Sequence, residues 1–229
     1  MKAASAKRPG RPVDRGLIAR RREEILDGAA KLFARHGYAD TDTQVLADLL
    51  GVGKGTIYRY FPSKRELFLA AADRVMRRLR EVVDAAIEDV EDPLDRVARA
   101  IRAYLAFFAE YPEFVELLIQ ERAQFKDRKK PTYFEHRDAN IERWRDLFRS
   151  LIAAGRVRDL PVDHITDVLS DLVYGTMFTN YFAGQRKSSE AQARDILDIV
   201  LHGILNPARR RPGPPPPASP RGRASRRKT

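Results

Sequence analysis

Cysteine is absent from the 229 residues. Its absence excludes disulfide frameworks, Cys-ligated zinc, iron–sulfur clusters and thiol nucleophiles together. Stability has to come from packing, and a reducing cytoplasm is the expected compartment. Long apolar runs are missing too. The longest runs, such as Tyr104-Leu-Ala-Phe-Phe-Ala109, are about a third of a bilayer-spanning helix, so no membrane partner is expected. The basic N-terminus is followed by no apolar stretch of the kind an export signal needs. Histidine is sparse. His36, His136, His164 and His202 fall at no metal-binding spacing, and His136 sits in the charged run Glu135-His136-Arg137-Asp138, which reads as a solvated face. No metal and no cofactor is expected. There is no G-x-S-x-G elbow and no Walker A loop; Gly51-Val-Gly-Lys-Gly55 lacks the four-residue gap before its Gly-Lys. An enzyme on a helical scaffold is the reading these gaps disfavour.

What is present is charge, unevenly placed. Residues 1–22 carry eight Lys/Arg against Asp14, a local +7, and residues 207–229 carry seven Arg and Lys228 with no acid, a local +8. These exceed the whole-chain +11, so the body 23–206 is left at −4. Cationic ends on a mildly acidic globule suit a polyanionic partner, because each Lys or Arg beside a phosphate releases condensed counterions. The alternative is that the ends only confer solubility. The tail from Pro207 to Thr229 holds seven prolines, including Pro214-Pro-Pro-Pro217, which preclude helix and core there. The arm Lys7-Arg-Pro-Gly-Arg-Pro12 suits a narrow minor groove or a phosphate tether.

Between the ends the pattern is helical throughout. Ile25, Ala29, Leu32 and Phe33 share one face of a helix from Arg20 to His36, with Gly37 as its stop. Thr41-Asp42-Thr43 offers cap oxygens for a short second helix with Val45, Leu46 and Leu49 inward; Gly51 ends it. A third helix begins near Gly53, and Ser63 is placed to cap a long fourth through Leu67, Phe68, Ala71, Val75 and Leu79. Further helices are expected over 94–110, 112–125, 131–154, 162–183 and 189–205, punctuated by Pro112, Pro131, Gly155, Pro161 and Gly184. No period-2 strand pattern and no repeat is visible. The fold class is all-α.

The three short helices carry the chemistry. Two segments of about eight residues joined by Leu50-Gly51-Val52-Gly53 make a helix-turn-helix, whose turn needs a glycine at positive φ. Residues 53–65 hold Lys54, Arg59, Lys64 and Arg65 and no acid. With Ile57 and Phe61 turned inward, Lys54, Gly55, Thr56, Tyr58, Arg59 and Tyr60 face out, as a helix lying in a major groove requires. A helical hairpin with a merely solvated basic face fits the same spacing.

The run Ile25-Leu-Asp-Gly-Ala-Ala-Lys-Leu-Phe-Ala-Arg-His-Gly-Tyr38, then Thr41, Leu46-Ala47, Gly51-Val52, Lys54-Gly-Thr-Ile-Tyr-Arg-Tyr-Phe-Pro-Ser-Lys64 and Glu66-Leu67 resembles the DNA-binding domain of TetR-family repressors over about residues 20–70. The resemblance implies an all-helical homodimer: a helix-turn-helix domain at 20–63 behind a basic arm at 1–19, a ligand-binding and dimerisation domain at 64–206, and a Pro/Arg-rich tail at 207–229. It implies that Thr41, Thr43 and Gln44 meet the DNA backbone, that Lys54, Gly55, Thr56, Tyr58, Arg59 and Tyr60 sit in or beside the groove, and that Lys64 caps the fourth helix onto phosphate. Two positions depart from the family, which often has Ser or Thr where this chain has Asp42 and Gly53.

The remainder is expected to sense a ligand. Of 20 aromatic residues, 14 lie between Tyr104 and Phe182. Tyr104, Phe107, Phe108, Phe125, Trp144, Phe148, Tyr174 and Phe178, with Phe114, Phe134 and Tyr181 nearby, are the candidates to line an apolar cavity; filling an ordinary core is the alternative for each ring. Val168, Leu169, Leu172, Val173 and Thr176 form one wide apolar stripe, and Ile196, Ile199, Val200 and Ile204 another. Val168, Leu172, Ile196, Val200 and Ile204 are the candidate dimer residues of a four-helix interface. The expected whole is a repressor that binds a palindromic double-stranded DNA operator as a homodimer and is released by an apolar or aromatic effector. A non-specific or architectural DNA-binding protein of the same type is the rival.

Overall fold

A computed structural model describes residues 15–203; the first 14 residues of the basic arm, Ile204 and the Pro/Arg tail lie outside the described residues. Within the described residues run nine helices and no strand: α1 (Arg15–Asp40), α2 (Thr43–Leu49), α3 (Lys54–Tyr60), α4 (Lys64–Ile87), α5 (Pro93–Glu110), α6 (Glu113–Gln124), α7 (Thr132–Ala153), α8 (Val162–Ala183) and α9 (Ser189–His202).

Local chemistry sets most of these ends. Asp42 accepts from the Gln44 amide (2.8 Å), Ser63 from Glu66 (3.1 Å), Asp92 from Leu94 (2.8 Å) and Ser188 from Ala191 (3.2 Å). Each satisfies an amide that a helix start leaves unpaired, worth about 1 kcal/mol. Pro93 follows Asp92 at the first turn of α5, where its missing N–H costs nothing. The first helix already includes Arg15, the first described residue, ahead of the Arg20 that the periodicity suggests, because polar Arg20–Arg22 favour helix without contributing to the apolar stripe. Gly37 (φ 83°, ψ 163°) breaks its path where the sequence placed the stop, and a short turn continues to Asp40.

Two clusters make the core. The larger joins Ile25, Leu26, Phe33, Leu46 and Ile57 of the first three helices to Leu67 and Phe68 of α4, Phe107 of α5 and Phe114 and Leu117 of α6. It therefore runs without interruption across residue 63. The smaller, Val97, Ile101, Leu105, Phe148, Leu151, Ala193 and Leu197, holds α5, α7 and α9 together. Helix α1 packs on both α4 and α6, and α4 lies between α1 and the pair α5 and α7.

Candidate nucleic-acid interface and effector cavity

The turn between α2 and α3 is built around Gly51 at φ 62°, with the Val52 amide donating to the Ala47 carbonyl (2.9 Å). A side chain at Gly51 meets no neighbour, so the backbone angle alone demands glycine there. Ile57 (0% exposed) and Phe61 (3%) anchor α3, one helical turn apart. Fixing that face inward leaves Lys54, Gly55, Thr56, Tyr58 and Arg59 toward the outer side, where Gly55 and Arg59 are the most open, whereas Tyr60, expected there too, packs partly against the core, which corrects its assignment. No atom lies within 4 Å of the place a Gly55 side chain would take, so a partner's backbone can approach there closely.

The individual groups are placed as follows. Lys54 Nζ lies 2.9 Å from Asp42 Oδ1, across the two helices. The Gln44 amide, then the Lys54 ammonium, hold the Asp42 carboxyl below its ordinary range, and Asp42 in turn raises Lys54. Both are exposed, so the pair is screened and adds little stability. Asp42 thus neutralises Lys54 locally, an effect invisible in the spacing of either residue. The Tyr58 hydroxyl and Thr43 Oγ1 are 3.0 Å apart, bridging α2 and α3. Gln44 is exposed and donates to Asp48 Oδ1 (2.7 Å).

Three expectations are corrected. Thr41 is buried (4% exposed), and its hydroxyl donates to the Gly37 carbonyl (2.6 Å), fastening the break after α1. Thr43 is buried (2%) with its hydroxyl engaged by Tyr58, so neither threonine offers an open oxygen to phosphate. Lys64 does not cap α4; Ser63 does, while Lys64 Nζ donates to the Ala39 carbonyl (2.8 Å) and lies 5.0 Å over the Tyr38 ring. The amine follows the free carbonyls at the end of α1, which attract a cation as phosphate would.

In the helical half an apolar cavity of about 140 Å³ lies between α4, α5, α7 and α8. Three expected aromatics line it: Tyr104, Trp144 and Phe148. Its other walls, including Val83, Ile101, Ile141, Leu169 and Val173, carry no signal that separates them from ordinary core. The two wall hydroxyls, Thr166 and Ser170, bond to carbonyls of their own helix (3.2 and 2.7 Å), so they present no free donor. The Tyr104 hydroxyl lies 3.1 Å from that of Tyr133; burial pushes the Tyr104 phenol well up and Tyr133 up to about 12, keeping both protonated donors.

The other rings are corrections. Phe107 (2% exposed) fills the main core. Phe125 packs edge-on against Tyr38 (5.0 Å) and Phe68 (5.4 Å), cementing the end of α6 to α1 and α4. Phe108 borders a separate pocket of about 200 Å³ with Leu105 and Tyr181. Tyr174 packs at a tilt on Tyr133 (4.6 Å) and edge-on against Phe178 (4.8 Å), and neither Tyr174 nor Phe178 lines the cavity. Aromatic content marked the helices correctly, but only the crossing of α4, α5, α7 and α8 selects which rings face the void.

A polar relay escaped the sequence altogether. The Tyr181 hydroxyl of α8 donates to Glu116 (2.6 Å), Glu116 accepts from Gln120 (2.9 Å) on α6, and Gln120 accepts from the Tyr38 amide (2.7 Å) at the end of α1. The i, i+4 spacing of Glu116 and Gln120 was the available clue.

On the outer side, Val168 (54% exposed), Leu172 (38%), Ile199 (53%) and Leu201 (46%) leave an apolar strip along α8 and α9. Val200 is half-buried beside it. Ile196 turns inward onto the smaller core cluster, and Leu169 and Val173 line the cavity, which corrects their assignment to the outer stripe.

Comparison with known proteins covers both halves. Residues 25–71 match the family model for bacterial regulatory proteins of the tetR family, and residues 90–204 match the tetracyclin repressor-like C-terminal domain. The transcriptional repressor AcnR of Corynebacterium diphtheriae is 41% identical over 66 residues, 29% of this chain and 35% of that protein, so the chain spans about a third of that relative's length. The repressor KstR2 of Mycobacterium tuberculosis is 27% identical over 196 residues, 82% of this chain and 95% of that one. Among solved structures, the regulator PfmR from Thermus thermophilus superposes with a TM-score of 0.62 at 28% identity, covering 80% of this chain and 99% of its own.

Proposed function

The chain belongs to the tetR family of bacterial regulatory proteins, and on that premise we propose that it is a transcriptional repressor that binds a palindromic DNA operator as a homodimer and leaves it when a small molecule occupies the helical half. The observation that carries this reading is the outer face of α3: Lys54, Thr56, Tyr58 and Arg59 stand clear of the core on a helix with no acidic residue, secured from behind by Ile57 and Phe61. The apolar strip on α8 and α9 supports pairing of two protomers. A cytoplasmic location suits that role, and no described helix is long and apolar enough to cross a membrane.

Gln44, Lys54, Gly55, Thr56, Tyr58 and Arg59 remain the proposed groove face, with buried Thr43 positioning the Tyr58 hydroxyl from behind. The effector works only through unequal affinity for two arrangements of the dimer. One keeps the twin α3 helices about 34–36 Å apart, on successive major grooves. In the other, α4 moves and carries α1 to α3 out of register.

Selection of bound duplexes from a random library tests the reading. An inverted repeat with half-sites about 10 base pairs apart is expected. Against that repeat, Lys54→Ala and Tyr58→Phe are each expected to weaken binding roughly tenfold, with Lys54→Ala lowering the salt slope by about one. Unchanged affinity in both variants sinks the docking. The cationic ends favour one second reading, non-specific binding; equal affinity for the selected repeat and random duplex at physiological salt is its signature.

A further inference from the structure

The apolar cavity has a cationic neighbour. On α4, Met76, Leu79, Arg80 and Val83 recur along one face; on α7, His136, Arg137, Asn140 and Arg143 do the same. Where these faces meet lies a second pocket of about 120 Å³, which shares Val83 and Tyr104 with the first. Its floor is apolar, its rim is Arg80, Arg137, Arg143, His136 and Asn140, and no carboxylate lines it.

The surrounding acids, with Asp171 also near Tyr133, quench this rim only in part. Asp84 is shared by Arg80 and Arg143, and Asp167 pairs with Arg137 (2.9 Å), so three guanidinium groups divide two carboxylates. His136 faces Asp73 (2.7 Å), which also serves Arg77 (3.0 Å). The Nε atoms of Arg137 and Arg143 are buried and have no hydrogen-bond partner. A buried donor without an acceptor costs free energy that a ligand oxygen recovers. A guanidinium already held in place selects planar or multivalent oxyanions over hydroxyls.

We infer that the effector is a small amphiphile whose apolar body fills the cavity beside Trp144 and whose anionic end, a carboxylate or phosphate, meets Arg137 and Arg143. This rests on the effector reading of the helical half and narrows it from any apolar molecule to one with a negative end. An alcohol of equal length satisfies the cavity but leaves the charge unmet, and a cation meets a rim of its own sign.

Trp144 is the one tryptophan in the chain and lines the apolar cavity, so intrinsic fluorescence reports occupancy. The full chain is titrated with octanoate, octyl phosphate, 1-octanol and octyltrimethylammonium. One or both anions are expected to bind about tenfold more tightly than octanol, and the stronger of the two identifies the head group. Octyltrimethylammonium is expected to be weakest. Added salt should weaken the anions and not the alcohol. Joint Arg137→Gln and Arg143→Gln substitution is expected to bring the anions down to octanol's affinity while octanol still binds. Joint substitution to Lys should keep part of the preference. Octanol binding as well as both anions, or a preference that survives the Gln pair and is insensitive to salt, overturns the anionic end and leaves the effector reading standing. No Trp144 response to any of the four overturns both.

Discussion

Hydroxyl and amine side chains near a helix-turn-helix are ambiguous, because protein carbonyls accept the same donors as phosphate. Thr41 and Lys64 resolve that ambiguity inward, to the Gly37 and Ala39 carbonyls. Thr43 resolves it toward Tyr58. Only groups whose backbone direction is fixed by a buried neighbour, such as Arg59 beside Ile57, stay on the outer face for geometric reasons. Asp73 shows how a single ionisable group ties two helices. The hydrogen bond from His136, and then that from Arg77, hold its carboxyl below the usual range. Its contribution is complete above the unfolded value of about 3.9 and disappears as pH falls through the lower folded one. Asp73→Asn is therefore expected to lower stability at pH 5 to 7 and to flatten the acid limb of the unfolding curve. A variant whose acid limb is unchanged, measured by urea unfolding across pH, removes the pair from the stability account.

Between elements, α6 is the hub that joins the two halves. Phe125 grips Tyr38 and Phe68, and the Tyr181–Glu116–Gln120 relay ends on the Tyr38 amide, so a displacement of α8 reaches the end of α1 along one face of α6. Gln120→Leu leaves that amide without its acceptor and is expected to cost about 1–3 kcal/mol. In operator titrations it should also shrink the loss of affinity that an effector produces. Full coupling in Gln120→Leu would show that α4 alone carries the signal. The helix ends were legible beforehand because caps are local: Ser63 and Asp42 act on amides two or three residues away. Glu116 and Tyr181 were not, since residues 65 apart in sequence meet only after α6 and α8 have packed.

For the whole molecule, the apolar strip of Val168, Leu172, Ile199 and Leu201 is concentrated enough to call for a cover, and it is the surface on which the proposed second copy would place the same residues. Joint Val168→Asp and Leu172→Asp substitution is expected to yield a monomer by sedimentation equilibrium with unchanged helical content. Such a monomer should lose operator affinity by more than tenfold, because both half-sites must be engaged together. A dimer that persists in this variant moves the interface elsewhere.

Periodicity, caps and glycine stops are encoded within a few residues, which is why the number, order and approximate ends of the described helices, and the inward set Ile25, Phe33, Ile57 and Phe61, could be read from the chain alone. Val45 and Leu49, expected inward on α2, are instead exposed, because so short a helix buries only Thr43, Leu46 and Ala47. The acid-free outer face of α3 follows from the same local rule. Tertiary packing decided the rest. Whether a ring fills core or borders a void depends on how four helices cross, which separated Tyr104, Trp144 and Phe148 from Phe107 and Phe125. Whether an arginine is a solvated surface charge or the rim of a pocket depends on the helix opposite, and Arg137 and Arg143 acquired their setting only when α7 came to rest on α4.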